Sequence, residues 1–200
     1  MQKDEHTKKT ILTYESIAED YDKRHYDIEE IREMIDCFMK QLDGTRVLDL
    51  GCGPGRDAKY FAEHGLEVTG TDLCKRFIDI ASHKAPEANF IHSDMRKLNL
   101  PDNSFDGVWA CASLLHLPKD EAKTTLKNLH RMLKNGGIIH VSVKEGEGEK
   151  IINNDKGERF FAFYTEDELR KMMEACGFEV MDMCRVKDEK RWIGFLGKKR

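Results

Sequence analysis

The chain has 200 residues, 40% hydrophobic and 35% charged, which suits one domain able to bury a core and still carve a ligand pocket. Its formal net charge of -4 gives no global basic field, so composition disfavours nonspecific binding to nucleic acid or to an anionic membrane. No run approaches the ~18 apolar residues of a membrane span, and the mixed-charge start Met1–His6 leads into no secretory apolar run, so a cytoplasmic protein is expected.

Ile11, Tyr14, Ile17, Ala18 and Tyr21 recur at spacings of three and four, which predicts an amphipathic helix over 11–24. A second helix is expected from Ile31, Ile35, Phe38 and Leu42, ending at Asp43-Gly44, where glycine suits a C-terminal cap. The period then changes. Val47-Leu48-Asp49-Leu50 is a short run of the kind buried on both faces of a parallel sheet. Strands at 67–71, 89–92, 105–110 and 138–143 alternate with helices near 55–64, 75–84 and 119–134. This alternation predicts an α/β three-layer sandwich.

Residues 144–156, rich in glycine, asparagine and charge, read as one long loop. Thr165-Glu166-Asp167-Glu168 is a capping box opening a helix that Gly177 ends. Two extended runs, 178–186 and 192–196, joined by Lys187-Asp188-Glu189-Lys190, predict a C-terminal antiparallel hairpin. The six cysteines show neither C-x-x-C nor metal-ligand spacing, so no metal site and reduced, buried thiols are expected.

Gly51, Gly53 and Gly55 form a turn between a first parallel strand and a helix, where a ligand can approach bare backbone and free N–H groups. A dinucleotide fingerprint would read G-x-G-x-x-G, yet Arg56 stands in the third-glycine place. No G-K-S/T follows, which excludes a phosphate-binding P-loop. Asp49, two residues before the first glycine, would repel phosphate and attract a cationic ligand.

The stretch Val47–Gly55 resembles the first motif of the class I S-adenosylmethionine-dependent methyltransferases, and the resemblance runs over nearly the whole chain. It implies a Rossmann-like, seven-stranded, mostly parallel sheet, with S-adenosyl-L-methionine as cofactor and S-adenosyl-L-homocysteine as product. Val68–Asp72 looks like the second strand of that family, which would make Asp72 the acceptor of the ribose hydroxyls, with Leu73 beside it. Phe90–Met95 looks like the third strand, which would set Asp94 to the adenine amino group and Met95 against the ring. Ser104–Ala110 is similar to the fourth strand, so the Ala110 or Cys111 carbonyl would take the methionine ammonium. Leu133-Lys134-Asn135-Gly136-Gly137 looks like the turn before strand five, with asparagine in place of the usual proline. Tyr14 to Asp22 resembles a helix folded over the cofactor, with Tyr21 in contact. Aspartate is also a favoured N-cap, so Asp72 and Asp94 each admit a capping role when taken singly. Arg56 admits either a surface position or a contact to the cofactor carboxylate or substrate.

Methyl transfer requires alignment and, for a protic acceptor, a base within hydrogen-bond reach. His116 is the leading candidate base, with Tyr14 from the covering helix beside it. Ser113 and Leu115 are also expected near the site. Glu145, Glu147 and Glu149 offer either a solvated loop or recognition of a cationic or polar acceptor. The aromatic run Phe160, Phe161, Phe163 and Tyr164 offers either core or a pocket roof.

The expected organisation is a single methyltransferase domain. Residues 1–44 would form a helical lid, 45–143 the cofactor half, and 144–200 the acceptor side. A small-molecule acceptor is expected, with the protein a monomer or homodimer. A tRNA or protein substrate, suggested by the basic spots at Lys187, Lys190, Arg191 and 198–200, is the runner-up, and a non-catalytic binder of the same fold is the third possibility.

Overall fold

A computed structural model describes residues 2–187 and 192–200; the charged connection at 188–191 lies outside the described residues. Nine strands are described, β1 (Arg46–Leu50), β2 (Glu67–Asp72), β3 (Asn89–His92), β4 (Phe105–Cys111), β5 (Leu133–Lys144), β6 (Glu149–Asn154), β7 (Gly157–Ala162), β8 (Phe178–Lys187) and β9 (Trp192–Lys199). Six α-helices accompany them: α1 (Gln2–Arg24), α2 (Arg32–Lys40), α3 (Arg56–Glu63), α4 (Lys75–Lys84), α5 (Lys119–Met132) and α6 (Glu166–Glu174). Seven strands form one sheet in the order β3-β2-β1-β4-β5-β9-β8, parallel from β3 to β5 and antiparallel through β9 and β8. The expected α/β sandwich is therefore the observed one.

Strand periodicity divides the core between the two faces. Leu48, Leu50, Val108 and Ala110 pack on one side with α5 and α6, through Leu126, Leu129, Leu169 and Met173. Val47 and Trp109 pack on the other with Phe38 of α2 and Phe61 of α3. Asp49 follows Val47 at the two-residue period, so its carboxyl enters the α2–α3 side, where it is 2% exposed. Of residues 1–44, only α1 lies over the strand ends, while α2 is part of the helical layer.

Three expectations are corrected. Gly44 does not cap α2, whose C-cap is Gln41 in a helical conformation; Gly44 instead lets the chain pass Asp106, whose carboxylate a Cβ would meet at 2.4 Å. Residues 144–156 are not one long loop: β6 and β7 form an antiparallel hairpin registered from Glu149↔Ala162 to Asn154↔Gly157. The polar composition of β6 hid it, because that strand is exposed along most of its length. Cys52, Cys74, Cys111 and Cys176 are free thiols, whereas Cys37 is disulfide-bonded. At the basic end, Lys199 is buried and donates to the Leu133 carbonyl at 2.8 Å and to Asn103 Oδ1 at 3.0 Å.

Among the described residues no helix is long and apolar enough to cross a membrane.

Candidate active site

A cavity opens between α1 and the carboxyl ends of β1 to β4, the place where an open parallel sheet leaves a crevice. Its floor is the glycine turn. Gly51, Gly53 and Gly55 have φ of 71°, 54° and 82°, left-handed values that side chains rarely adopt. A Cβ on Gly51 would stand 2.5 Å from Ser113 Cβ, and one on Gly55 would stand 2.8 Å from Ala81 Cβ. Those two glycines permit close packing, Gly51 against the segment after β4 and Gly55 against α4. At Gly53 a Cβ would meet nothing within 4 Å, so this glycine keeps the cavity itself open.

The three acids of the sequence reading have three different surroundings. Asp72 lines the cavity, and its two oxygens accept N–H bonds from Gly53 at 3.0 Å and Cys74 at 2.8 Å, which fix its orientation. Burial pushes its carboxyl up to about 6, against the pull of those N–H groups. Asp94 also lines the cavity, caps the turn Met95–Lys97 through the Arg96 N–H, and is paired to the Arg96 guanidinium at 2.6 Å. Although partial burial opposes it, those Arg96 contacts hold the Asp94 carboxyl below the usual carboxylate range. Asp49 lies beneath the turn rather than on the cavity wall, with Oδ2 buried and unpartnered. Burial first, and then repulsion from Asp57, push its carboxyl well above the usual range.

Asp57 is a site residue that sequence reading missed. It is buried in the first turn of α3, where its Oδ2 accepts the Trp109 indole N–H at 2.8 Å and its Oδ1 accepts Arg56 Nε at 2.6 Å. Burial opposes the charge on Arg56, yet the Asp57 carboxylate keeps that guanidinium above its ordinary range. The available signal was a carboxylate following the glycine turn opposite a strand tryptophan. Arg56 and Asp57 both line the cavity, whereas Ala110 is fully buried outside its wall and Gly55 lies behind it. Cys111, Leu73, Met95 and Tyr21 are on the wall.

The roof comes from α1, which the β6–β7 hairpin backs from outside the cavity. Tyr14 and His116, far apart in sequence, meet with Tyr14 Oη 2.9 Å from His116 Nε2. His116 Nδ1 lies 2.8 Å from the Phe160 carbonyl, which can only accept, so that nitrogen carries the proton and Nε2 accepts the tyrosine O–H. Burial pulls the imidazole down to about 4 and raises the Tyr14 hydroxyl above its usual range. Tyr21 stands edge-on to Tyr14 at 5.6 Å and stacks on His25 at 4.2 Å. Thr10 and Thr13 bind α1 to the hairpin: Thr10 Oγ1 accepts the Phe160 N–H at 3.0 Å, and Thr13 donates to the Glu158 carbonyl at 2.8 Å.

After β4, Ala112 takes a φ of 55°, an uncommon value for a residue with a side chain, and Ser113 turns a buried, unpartnered hydroxyl beside Gly51. Leu115 is core. None of Glu145, Glu147 and Glu149 lines the cavity, and Glu149 accepts the Lys119 N–H at 2.8 Å. Phe160, Phe161 and Tyr164 are buried in the core cluster that includes α5 and α6, with Phe163 packed against it. Among the described residues no group of three or more His, Cys, Asp or Glu is placed to hold a metal ion.

Comparisons with known proteins agree with this fold. A family model described as a methyltransferase domain matches residues 47–137. An O-methyltransferase of Aspergillus nomiae is 28% identical over 75% of this chain and 71% of its own length. A putative methyltransferase of Bacillus subtilis is 31% identical over 68% of this chain, which spans 59% of that relative. Among solved structures, the Burkholderia thailandensis 1,6-didemethyltoxoflavin-N1-methyltransferase, holding 1,6-didemethyltoxoflavin and S-adenosylhomocysteine, is similar over 98% of this chain and 90% of its own. That likeness has a TM-score of 0.80 at 26% identity.

Proposed function

We propose that this chain is a class I S-adenosylmethionine-dependent methyltransferase and that it transfers the methyl group of S-adenosylmethionine to a small-molecule acceptor. One observation carries the reading: a single cavity has the oriented Asp72 carboxylate on its wall over a bare glycine turn, and the Tyr14–His116 pair in its roof. The named activities of the relatives and the ligands in the Burkholderia structure support it.

The residues fit the cofactor on two counts. The open space at Gly53 is one that any side chain would fill, and Asp49 Oδ2 is a buried acceptor without a hydrogen-bond partner beneath the glycine turn. In this reading Asp72 accepts the ribose hydroxyls. Met95, Leu73 and Asp94 bound the adenine, while the Cys111 region faces the methionine end, with Asp49 buried beneath the turn. Asp94 already has Arg96 on its carboxylate, so an adenine amino group would share that acceptor.

When bound, the cofactor supplies a methyl group on a positive sulfur, open to in-line displacement. The chain aligns the acceptor beneath α1 and manages its proton. Tyr14 can accept the acceptor's proton while its own passes to His116 Nε2, which the Phe160 carbonyl holds in the accepting tautomer.

Isothermal titration with S-adenosylhomocysteine, with NAD as the control, tests the donor site. Labelled cofactor with a metabolite extract tests the transfer. Binding of NAD alone, or label entering only RNA, would overturn the proposal.

A further inference from the structure

Arg159 on β7 and Lys144 at the end of β5 form a cation pair that the mechanism above does not use. The chain folds back to join them, with the Tyr164 N–H donating to the Lys144 carbonyl at 3.0 Å. The Arg159 guanidinium carbon lies 5.6 Å from the Tyr14 ring centroid and 5.4 Å from that of Phe161. Lys144 Nζ lies 5.3 Å from the same Phe161 ring and 5.5 Å from that of Trp192. The His116 ring is 4.9 Å from Phe161, so Lys144 stands one aromatic ring behind the Tyr14–His116 pair, while Arg159 lies directly against Tyr14.

Most other half-buried cations among the described residues have partners. Arg56 has Asp57, Arg96 has Asp94 and Glu121, Lys84 has Asp22, and Lys199 has two oxygen acceptors. Among the described residues no carboxylate pairs with Arg159 or Lys144, and Arg159 Nε is buried without a hydrogen-bond partner. Burial and the repulsion of Arg159 and Lys156 pull the Lys144 ammonium below its ordinary range. Ring faces offset part of this cost, but two unpaired like charges in a sheltered position call for an anion.

We propose that the acceptor binds as an anion, with its carboxylate or acidic hydroxyl oxygen held by Arg159 and Lys144 beside the Tyr14–His116 pair. This rests on the methyl-transfer reading and adds the charge class of the acceptor to it. The nucleophile's electron pair forms the new bond to the methyl carbon, and the C–S pair stays on sulfur. Any proton left on the nucleophile passes to Tyr14 as His116 takes the tyrosine proton. A positive surround also suits the weak base, because an acceptor that arrives ionised leaves it little to remove.

The test titrates wild type, Arg159→Met, Arg159→Lys and Lys144→Met, each loaded with S-adenosylhomocysteine. The probes are benzoate against benzamide and 4-nitrophenolate against its neutral methyl ether, so the two anions separate a carboxylate from an acidic hydroxyl. For wild type at least one anion should bind about tenfold or more tighter than its neutral match, as expected of a charge-assisted contact. Arg159→Met should lose most of that preference, Lys144→Met part of it, and Arg159→Lys should keep part, all with unchanged affinity for S-adenosylhomocysteine. Charge-blind binding by wild type, or a full preference surviving in a folded Arg159→Met, would overturn the proposal. Failure of wild type to bind S-adenosylhomocysteine at all would instead overturn the methyl-transfer reading.

Discussion

Replacing Asp72 by asparagine separates charge from shape at the ribose end of the cavity. Both carboxylate oxygens accept backbone N–H groups, from Gly53 at 3.0 Å and Cys74 at 2.8 Å. Asparagine can answer one of these and must turn its amide NH2 toward the other. It also loses the ionised acceptor, and hydrogen bonds to a charged group are worth ~1.5–3 kcal/mol. Affinity for S-adenosylmethionine near neutral pH should therefore fall by roughly 10- to 150-fold. The raised carboxyl adds a sharper criterion. With Asp72 pushed up to about 6, the free wild-type protein is mostly protonated at this site near pH 5. Wild type then gives up about tenfold of its advantage between neutral pH and about pH 5, while the variant has no such group to titrate. The ratio of the two affinities, measured by calorimetry at both pH values, should shrink accordingly. Stability moves in the opposite sense. A folded carboxyl raised above its unfolded value binds its proton first, so wild type should gain stability relative to the variant as pH falls from about 6 to about 4. A ratio constant with pH, or a variant binding as tightly as wild type, would refute this account of Asp72.

Tyr14→Phe and His116→Phe should each lower kcat by about 100-fold or more while leaving S-adenosylhomocysteine binding intact; undiminished turnover in both removes the pair from proton transfer. Gly53→Ala should mainly cost cofactor affinity, because its Cβ enters open cavity. Gly55→Ala should mainly cost thermal stability, because its Cβ meets Ala81; the same balance of losses in both variants would contradict their separate roles. His140 is 0% exposed, stacked on Trp109 at 4.2 Å, and has neither ring nitrogen bonded, so His140→Leu should stabilise by on the order of 1–2 kcal/mol. Burial pulls this imidazole down to about 3, so the unfolded chain takes up the proton first and stability is lost as pH falls below about 6.5. The variant should lack that part of the acid slope, and a lower melting temperature at neutral pH would sink the idea.

The donor half of the site was legible because its parts are local. A strand, a turn and the acid two residues upstream lie within Val47–Gly55, and Asp72 and Asp94 end the next two strands in chain order. The sequence did not tell apart the work of the three glycines, because Gly53 and Gly55 differ only in what lies across from them, a cavity in one case and Ala81 in the other. Thr7 and Thr10 were missed for a different reason. They extend the inward face of α1 beyond Ile11 with polar side chains, whose value lies in the cavity wall and in the Phe160 N–H rather than in apolar periodicity. The β6–β7 hairpin was invisible because an exposed strand bonded only to its partner need not alternate in polarity.

That hairpin decides the acceptor side, and through one residue. Phe160 gives its N–H to Thr10 of α1 and its carbonyl to His116 Nδ1. The first bond seats the lid helix. The second selects the histidine tautomer, which in turn aims the Tyr14 hydroxyl of that same helix back at Nε2. Each of the three elements therefore depends on the other two, a closed dependence that no spacing along the chain reveals. The next residue toward the turn, Arg159, lies against the Tyr14 ring from the same strand. Placement of the proton relay and placement of the proposed anion site thus follow from one strand register, so a shift of β7 by a single residue would lose both together.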